Sequence, residues 1–176
     1  MRVIELQNAG QNNLTQRIPS GPTKWALRAL DMALLNSPQF TIGRNSLFRQ
    51  IRYNSTVPGD IRELSILRIG TIQGAAYEWQ QHEPLQLIRN PSFSPYGEVA
   101  SSVFTPKQIA ALKFTDTSTR NSHVHDDTWS VLKEQFPDPQ QITELVLTVA
   151  AYNLVSRFLL AANVGGVAEA QVPYPE

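Results

Sequence analysis

The sequence contains no cysteine among its 176 residues. This absence excludes disulfides, thiolate metal sites and any chemistry that needs a cysteine nucleophile or a redox pair. Charged residues are also sparse, at 17% of the sequence. The 15 Lys and Arg residues balance the 15 Asp and Glu residues, so the formal net charge is zero. A neutral chain gives no reason to expect nucleic acid or an anionic membrane as a partner, and little long-range repulsion opposes its self-association.

Long hydrophobic runs are scarce as well. No run approaches the ~20 apolar residues that a membrane span needs. The first residues, MRVIELQNAGQNNL, lack the apolar core of a secretory signal. We therefore expect a cytoplasmic protein that does not enter a membrane. A length of 176 residues with 41% hydrophobic content fits one domain with a substantial core.

Helix signals dominate what the sequence does contain. No segment shows the alternation of a β-strand, so the sequence predicts an all-α bundle of about six to eight helices. Residues 1–22 predict an N-terminal arm, 23–165 the helical domain and 166–176 an irregular tail, while 89–104 predict a loop that is either a lid or a surface connection. The helices are expected over residues 23–36, 43–53, 60–74, 75–81, 106–115, 124–136 and 140–163.

The stretch 58–87 holds the densest set of proton-transfer groups beside apolar residues. Asp60 is predicted as a helix N-cap, with Glu63 at the N3 position of a capping box. His82 lies four residues after Glu78, so on a helix both side chains share one face. A carboxylate there would orient the imidazole and favour its charged form. Taken alone, this spacing more often marks an ion pair at a surface or an interface.

Gly74 could allow Glu63 to join Glu78 and His82 in one site. Glu63 and Glu78 are fifteen residues apart, which is about 22 Å along a straight helix at ~1.5 Å per residue. They meet only if the chain turns back near Gly74, a plausible helix stop. Glu63, Glu78 and His82 would then converge between two helices, and two carboxylates in a part-apolar pocket raise one pKa towards neutral pH. The capping role for Glu63 competes with this interpretation.

Three further side chains are candidates for substrate binding. Tyr77 and Trp79 would form walls of the pocket, and Arg157 lies in apolar sequence where it needs a partner. That partner is either Glu144 or a substrate carboxylate, and a structural ion pair is the more ordinary of the two. Asp116 is interpreted as a cap or turn residue.

A metal site is possible in principle, because one histidine and two glutamates suit a carboxylate-rich centre. The paired Glu-x-x-His motif of di-iron bundles is absent from the sequence. The sequence therefore predicts neither a metal nor another cofactor, and metal analysis of the purified protein would test this.

Four motifs follow one another: R-E-L-x-I-L-R-x-G, A-Y-E-W-x-x-H, F-T-D and E-L-x-L-x-V-A-x-Y-N-x-x-x-R. Together they resemble the carboxymuconolactone decarboxylase-like proteins over roughly residues 23–165. The resemblance implies an all-helical subunit that assembles with copies of itself. We accordingly expect a homo-oligomer, as a dimer, trimer or hexamer, with a small-molecule substrate.

Two branches of that family bear on the chemistry. In the branch associated with alkyl hydroperoxide reductase, a C-x-x-C pair works with a relay glutamate and a relay histidine. Glu63 and His82 match the relay, whereas Ala75 and Glu78 stand where the cysteines would be. The resemblance thus implies a cysteine-free member that is neither a peroxidase nor a disulfide reductase. The decarboxylase branch lacks the cysteines and acts on a lactone acid without a cofactor.

The sequence therefore predicts a cofactor-independent lyase, either a decarboxylase or a related isomerase. Its substrate would be a small carbonyl, lactone or carboxylic-acid compound of aromatic or secondary metabolism. The alternative is a non-catalytic helical oligomer in which the same groups form a buried polar network. Three residues are assigned as catalytic and three as substrate-binding: His82, Glu63 and Glu78, then Tyr77, Trp79 and Arg157.

Overall fold

A computed structural model describes residues 28–87 and 104–172. Within these two ranges the chain forms seven α-helices and no β-strand, which confirms the predicted all-α class. The helices are α1 Ala29–Leu34, α2 Pro38–Arg49, α3 Gly59–Gln73, α4 Ala76–Leu87, α5 Pro106–Asn121, α6 Asp126–Gln135 and α7 Pro139–Ala161. A π-helical turn, Gln50–Asn54, extends α2, and a 3-10 turn, Val164–Gly166, follows α7. The predicted arm, most of the predicted loop and the end of the predicted tail lie outside the described residues.

Helix α3 is the centre of the bundle and packs against α4, α5 and α7. Eight consecutive residues of α3, 63–70, are all buried. A helix buried on every side has no solvent-facing stripe, so the polar side chains of this segment must find partners inside the protein. This burial places Glu63 and Arg68 among apolar neighbours.

Gly74 ends α3, as predicted. It adopts a left-handed φ of 70°, which only glycine reaches without cost, and the Ala75 N–H then donates to the Gly70 carbonyl at 2.7 Å. The chain reverses here, and α4 runs back beside α3. The reversal brings the first half of α3 close to the middle of α4.

The start of α3 differs from its prediction. Pro58 is the N-cap, and Asp60 lies inside the first turn, where its Oδ2 accepts from Gln108 Nε2 at 2.8 Å. Glu63 is therefore beyond the N3 position and has no capping role. Its carboxylate is left free for a tertiary contact.

Two further boundaries were wrong. Helix α2 was expected to begin near residue 43 but begins at Pro38, in its first turn, where the N–H that proline lacks would be unpaired in any residue. Helix α5 was expected to end near residue 115 but continues to Asn121. Asp116, predicted as a cap or turn, lies inside α5 because the buried Arg68 donates to both of its oxygens, at 2.5 and 2.6 Å.

Helix α7 is 23 residues long and apolar enough, by length and composition, to cross a membrane. The expectation that no segment comes near that length was therefore wrong. Packing inside the bundle accounts for its apolar composition, because α7 packs against α3, α4 and α5 and contributes Leu145, Val149 and Tyr152 to the main core. A helix in the core of a bundle can be as long and as apolar as a membrane-spanning helix.

Candidate functional site

Glu63 of α3 and His82 of α4 form a close pair across the Gly74 reversal. His82 Nδ1 lies 2.7 Å from Glu63 Oε2, and each side chain is nearly buried, at 14% and 11% exposure. Arg62 Nε lies 3.4 Å from the other oxygen of Glu63. Burial alone would raise the pKa of Glu63, but the hydrogen bond and charge of His82, with help from Arg62, outweigh burial and lower it.

This pair fixes the orientation of the imidazole. Because an ionised Glu63 can only accept, Nδ1 of His82 carries the hydrogen and Nε2 is the nitrogen left for other partners. The ring also meets Tyr152 of α7 edge-on, with ring centroids 5.5 Å apart. A neutral His82 held in this way offers a basic Nε2, and a charged one offers a proton.

Glu78 occupies a different environment on the same helix. It is 3% exposed, and one oxygen accepts from the Ser156 hydroxyl. The other oxygen, Oε1, has no hydrogen-bond partner among the described residues. Burial raises the pKa of Glu78 well above its ordinary value, and the charges of Arg44 and Arg52 offset this only in part. Glu78 therefore tends to hold a proton where an exposed glutamate would have lost it.

His82 and Glu78 both border one cavity of about 290 Å³. Its walls come from α1, α2, the π-helical turn, α4 and α7, and they are mainly polar. Glu63 lies behind His82 rather than in the wall. The ionisable residues of the wall are Arg28, Asp31, Arg44, Arg52, Tyr77, Glu78, His82 and Tyr152.

Arg44 and Arg52 give this cavity a positive wall that the sequence interpretation missed. Arg44 lies over the Phe48 ring at 4.4 Å and Arg52 at 5.7 Å. Neither guanidinium has a carboxylate within ion-pair distance among the side chains that the structure describes. Burial and the neighbouring charge of Arg52 lower the pKa of Arg44. The signal was the spacing of residues 44, 48 and 52, which places cation, ring and cation on one side of a helix.

The other predicted site residues are divided between the cavity and the rest of the bundle. Tyr77 lines the cavity, and its hydroxyl accepts from the Leu30 N–H at 3.3 Å. Trp79 is buried instead in a separate apolar cluster with Leu64 and Leu112. Arg157 is exposed on α7 and is not part of the cavity wall.

Two predicted partnerships are also replaced. His82 binds Glu63 rather than Glu78, although Glu78 has the helical spacing. Glu144, a candidate partner of Arg157, accepts instead from the Thr56 N–H at 2.6 Å and from neighbouring hydroxyls. Burial opposes ionisation, but hydrogen bonds from Gln140, Thr56 and Ser55 lower the pKa of Glu144 to about 2.

Residues 28–87 and 104–172 contain no group of three His, Asp or Glu side chains that could hold a metal ion. The exposed His123 and His125 lie close together, with ring centroids 5.3 Å apart, but they stand at the start of α6, away from the cavity. The side chains of the cavity are suited to proton transfer and to binding an anion.

No protein-family profile and no curated protein matches the sequence. The fold resembles a crystal structure of a protein of unknown function from Agrobacterium tumefaciens, which has been suggested to be the antioxidant defence protein AhpD. The TM-score is 0.65 at 19% sequence identity, and the match covers 80% of this chain and 94% of the other. At this identity the likeness establishes that the two proteins share an all-helical fold.

Proposed function

We propose that this protein is a cofactor-independent acid/base enzyme, a decarboxylase or related lyase, that acts on a carbonyl or carboxylic-acid compound. One observation supports this most: Glu78 in the cavity wall and Glu63 behind the wall residue His82 have environments that move their pKa values in opposite directions. Such separation of acid and base is how enzymes run proton transfer near neutral pH.

Glu63 and His82 supply the base. The ionised Glu63 holds Nδ1–H of His82, so that Nε2 can take a proton from a substrate and later return it. Glu63 itself need not touch the substrate. Its part is to set the tautomer and to stabilise the imidazolium that forms.

Glu78 supplies the acid. In a decarboxylation, the bond between the carboxylate carbon and its neighbour breaks, carbon dioxide leaves, and the electron pair moves onto the adjacent carbonyl as an enolate. A protonated Glu78 at the cavity wall then gives its proton to the carbon, which restores the carbonyl. Solvent protons recharge Glu78 after product leaves.

Arg44 and Arg52 supply the charge stabilisation. Two guanidinium groups without carboxylate partners among the described side chains suit a substrate carboxylate and the developing enolate oxygen. Their positive charge also makes the cavity a poor place for a neutral apolar compound.

The test is a screen of lactone acids and β-keto acids with release of carbon dioxide as the readout. For a substrate found in this way, His82→Ala and Glu78→Gln should each lower kcat by about 10²–10⁴-fold, the usual contribution of a general acid or base. His125→Ala, at an exposed histidine outside the cavity, is the matched control and should keep full activity. Unchanged turnover in His82→Ala would remove the imidazole from the mechanism.

A further inference from the structure

A second, larger space adjoins the catalytic cavity. It is an apolar groove of about 710 Å³ between α1, α2 and α7. Three residues, Leu30, Arg44 and Val155, line both the groove and the cavity. The two spaces are therefore neighbours, and Arg44 stands at the boundary between them.

The groove and the cavity differ sharply in chemistry. Large apolar side chains form the groove, among them Phe40 at 81% and Leu154 at 59% exposure. A ligand that covers these side chains would remove their apolar area from water, which favours binding. The cavity beside them holds the arginines and the acid/base groups.

We propose that the substrate is an amphipathic acid, with its carboxylate and carbonyl groups in the cavity and an apolar chain along the groove. The proposal rests on the proposed function for the position of the reacting head group. The occupant of the groove follows from its continuity with the cavity and from charge, because a cation at the boundary matches a head group that is anionic where the chain begins.

Arg44 lies at the boundary itself. It is half-buried and lines both spaces, and its guanidinium carbon lies 4.4 Å from the centre of the Phe48 ring, which belongs to the groove. A carboxylate bound there would give the guanidinium the anionic partner that the described side chains do not provide.

Binding of straight-chain carboxylates, from butanoate to dodecanoate, measured by calorimetry below their micelle concentrations, tests this without requiring turnover. Affinity should rise by about fourfold for each methylene that the groove covers, which corresponds to ~0.8 kcal/mol. Affinity that does not depend on chain length would overturn the proposal.

Gly43 allows the groove to be filled from within. It lies on α2 and lines the groove, and an added Cβ would meet no atom within 4 Å. Gly43→Phe should therefore fold, abolish the gain with chain length and leave butanoate affinity within about twofold. Ser46→Phe adds the same ring on an exposed part of α2 outside the groove and should keep the gain. A chain-length gain that survives Gly43→Phe would contradict the proposal.

Arg44→Gln should weaken every chain length by a similar factor, on the order of tenfold, since it removes the head-group contact. Arg49→Gln, at an exposed arginine on the same helix, should change nothing. The rival occupant of the groove is a second copy of this chain, and sedimentation of Gly43→Phe tests it. If the variant dissociates from an oligomer while the dependence of affinity on chain length is unchanged, a second copy fills the groove and the proposal is overturned. A chain-length series that behaves as expected, in a protein that turns over no acid, would support the binding of an amphipathic acid in the groove and cavity and reject the proposed function.

Discussion

At the scale of the residue, three glutamates show how position decides chemistry. Glu63 is nearly buried but paired with His82, so its pKa falls. Glu78 is more deeply buried, has one hydroxyl donor, and its pKa rises. Glu144 gathers several donors, and its pKa falls to about 2. Residue type alone predicted none of these differences, because each depends on what the fold places around the carboxyl group.

The raised pKa of Glu78 makes the stability of the protein depend on pH. The folded protein keeps a proton that the unfolded chain loses above its ordinary pKa of 4.5. The resulting stability is fully present below about pH 4.5 and declines as pH rises through the raised pKa, by up to ~1.4 kcal/mol per pH unit.

Glu78→Gln has the shape of a protonated glutamate but cannot ionise, so it should lack this decline. The free energy of unfolding of the variant, relative to that of the wild type, should therefore increase as pH rises. Denaturant unfolding between pH 4.5 and pH 8 measures the difference. Glu134→Gln, at an exposed glutamate, serves as the control and should follow the wild type. Parallel curves for Glu78→Gln and the wild type would mean that Glu78 ionises normally.

At the scale of the element, the Gly74 reversal is the feature that the sequence predicted best. Glycine has a local conformational signature, so its role could be inferred without the fold. The length of α5 could not, because Asp116 stays helical through its contact with Arg68, 48 residues earlier. The arginine pair on α2 and its π-helical turn was missed since two arginines on a helix usually face solvent.

The 3-10 turn after α7 holds one wall of the cavity through Tyr77. A Cβ at Gly165 would lie 2.9 Å from Cδ2 of Tyr77, and Gly165 also has a φ of +74°. Displacing the Tyr77 ring would break its contact with the Leu30 N–H and so loosen α1.

Gly165→Ala should therefore be more destabilising than Gly166→Ala by about 1–3 kcal/mol, the usual range for overpacking. Gly166 has a similar φ of +73°, but an added Cβ there meets nothing within 4 Å, so it carries the backbone cost alone. Thermal and denaturant unfolding of the two variants gives the comparison. Equal losses in both variants would show that the Tyr77 ring yields freely.

At the scale of the whole molecule, helix periodicity was enough to predict an all-α bundle, and most helices lie near their expected positions. The bundle brings together Glu63, Glu78 and His82, which the sequence had singled out. It excludes Trp79 and Arg157 from the cavity wall, because the side on which a helix is buried depends on neighbours that periodicity does not identify. The expected homo-oligomer and cytoplasmic location stay predictions.

The central claim is that the fold keeps Glu63 ionised and Glu78 protonated beside one cavity. Carbon-13 NMR of side-chain carboxyl carbons in labelled glutamate, assigned with Glu63→Gln and Glu78→Gln, measures both states directly across a pH titration. We expect the Glu78 carboxyl to titrate well above pH 4.5 and the Glu63 carboxyl below it. Two carboxyl groups that titrate together near pH 4.5 would contradict the claim.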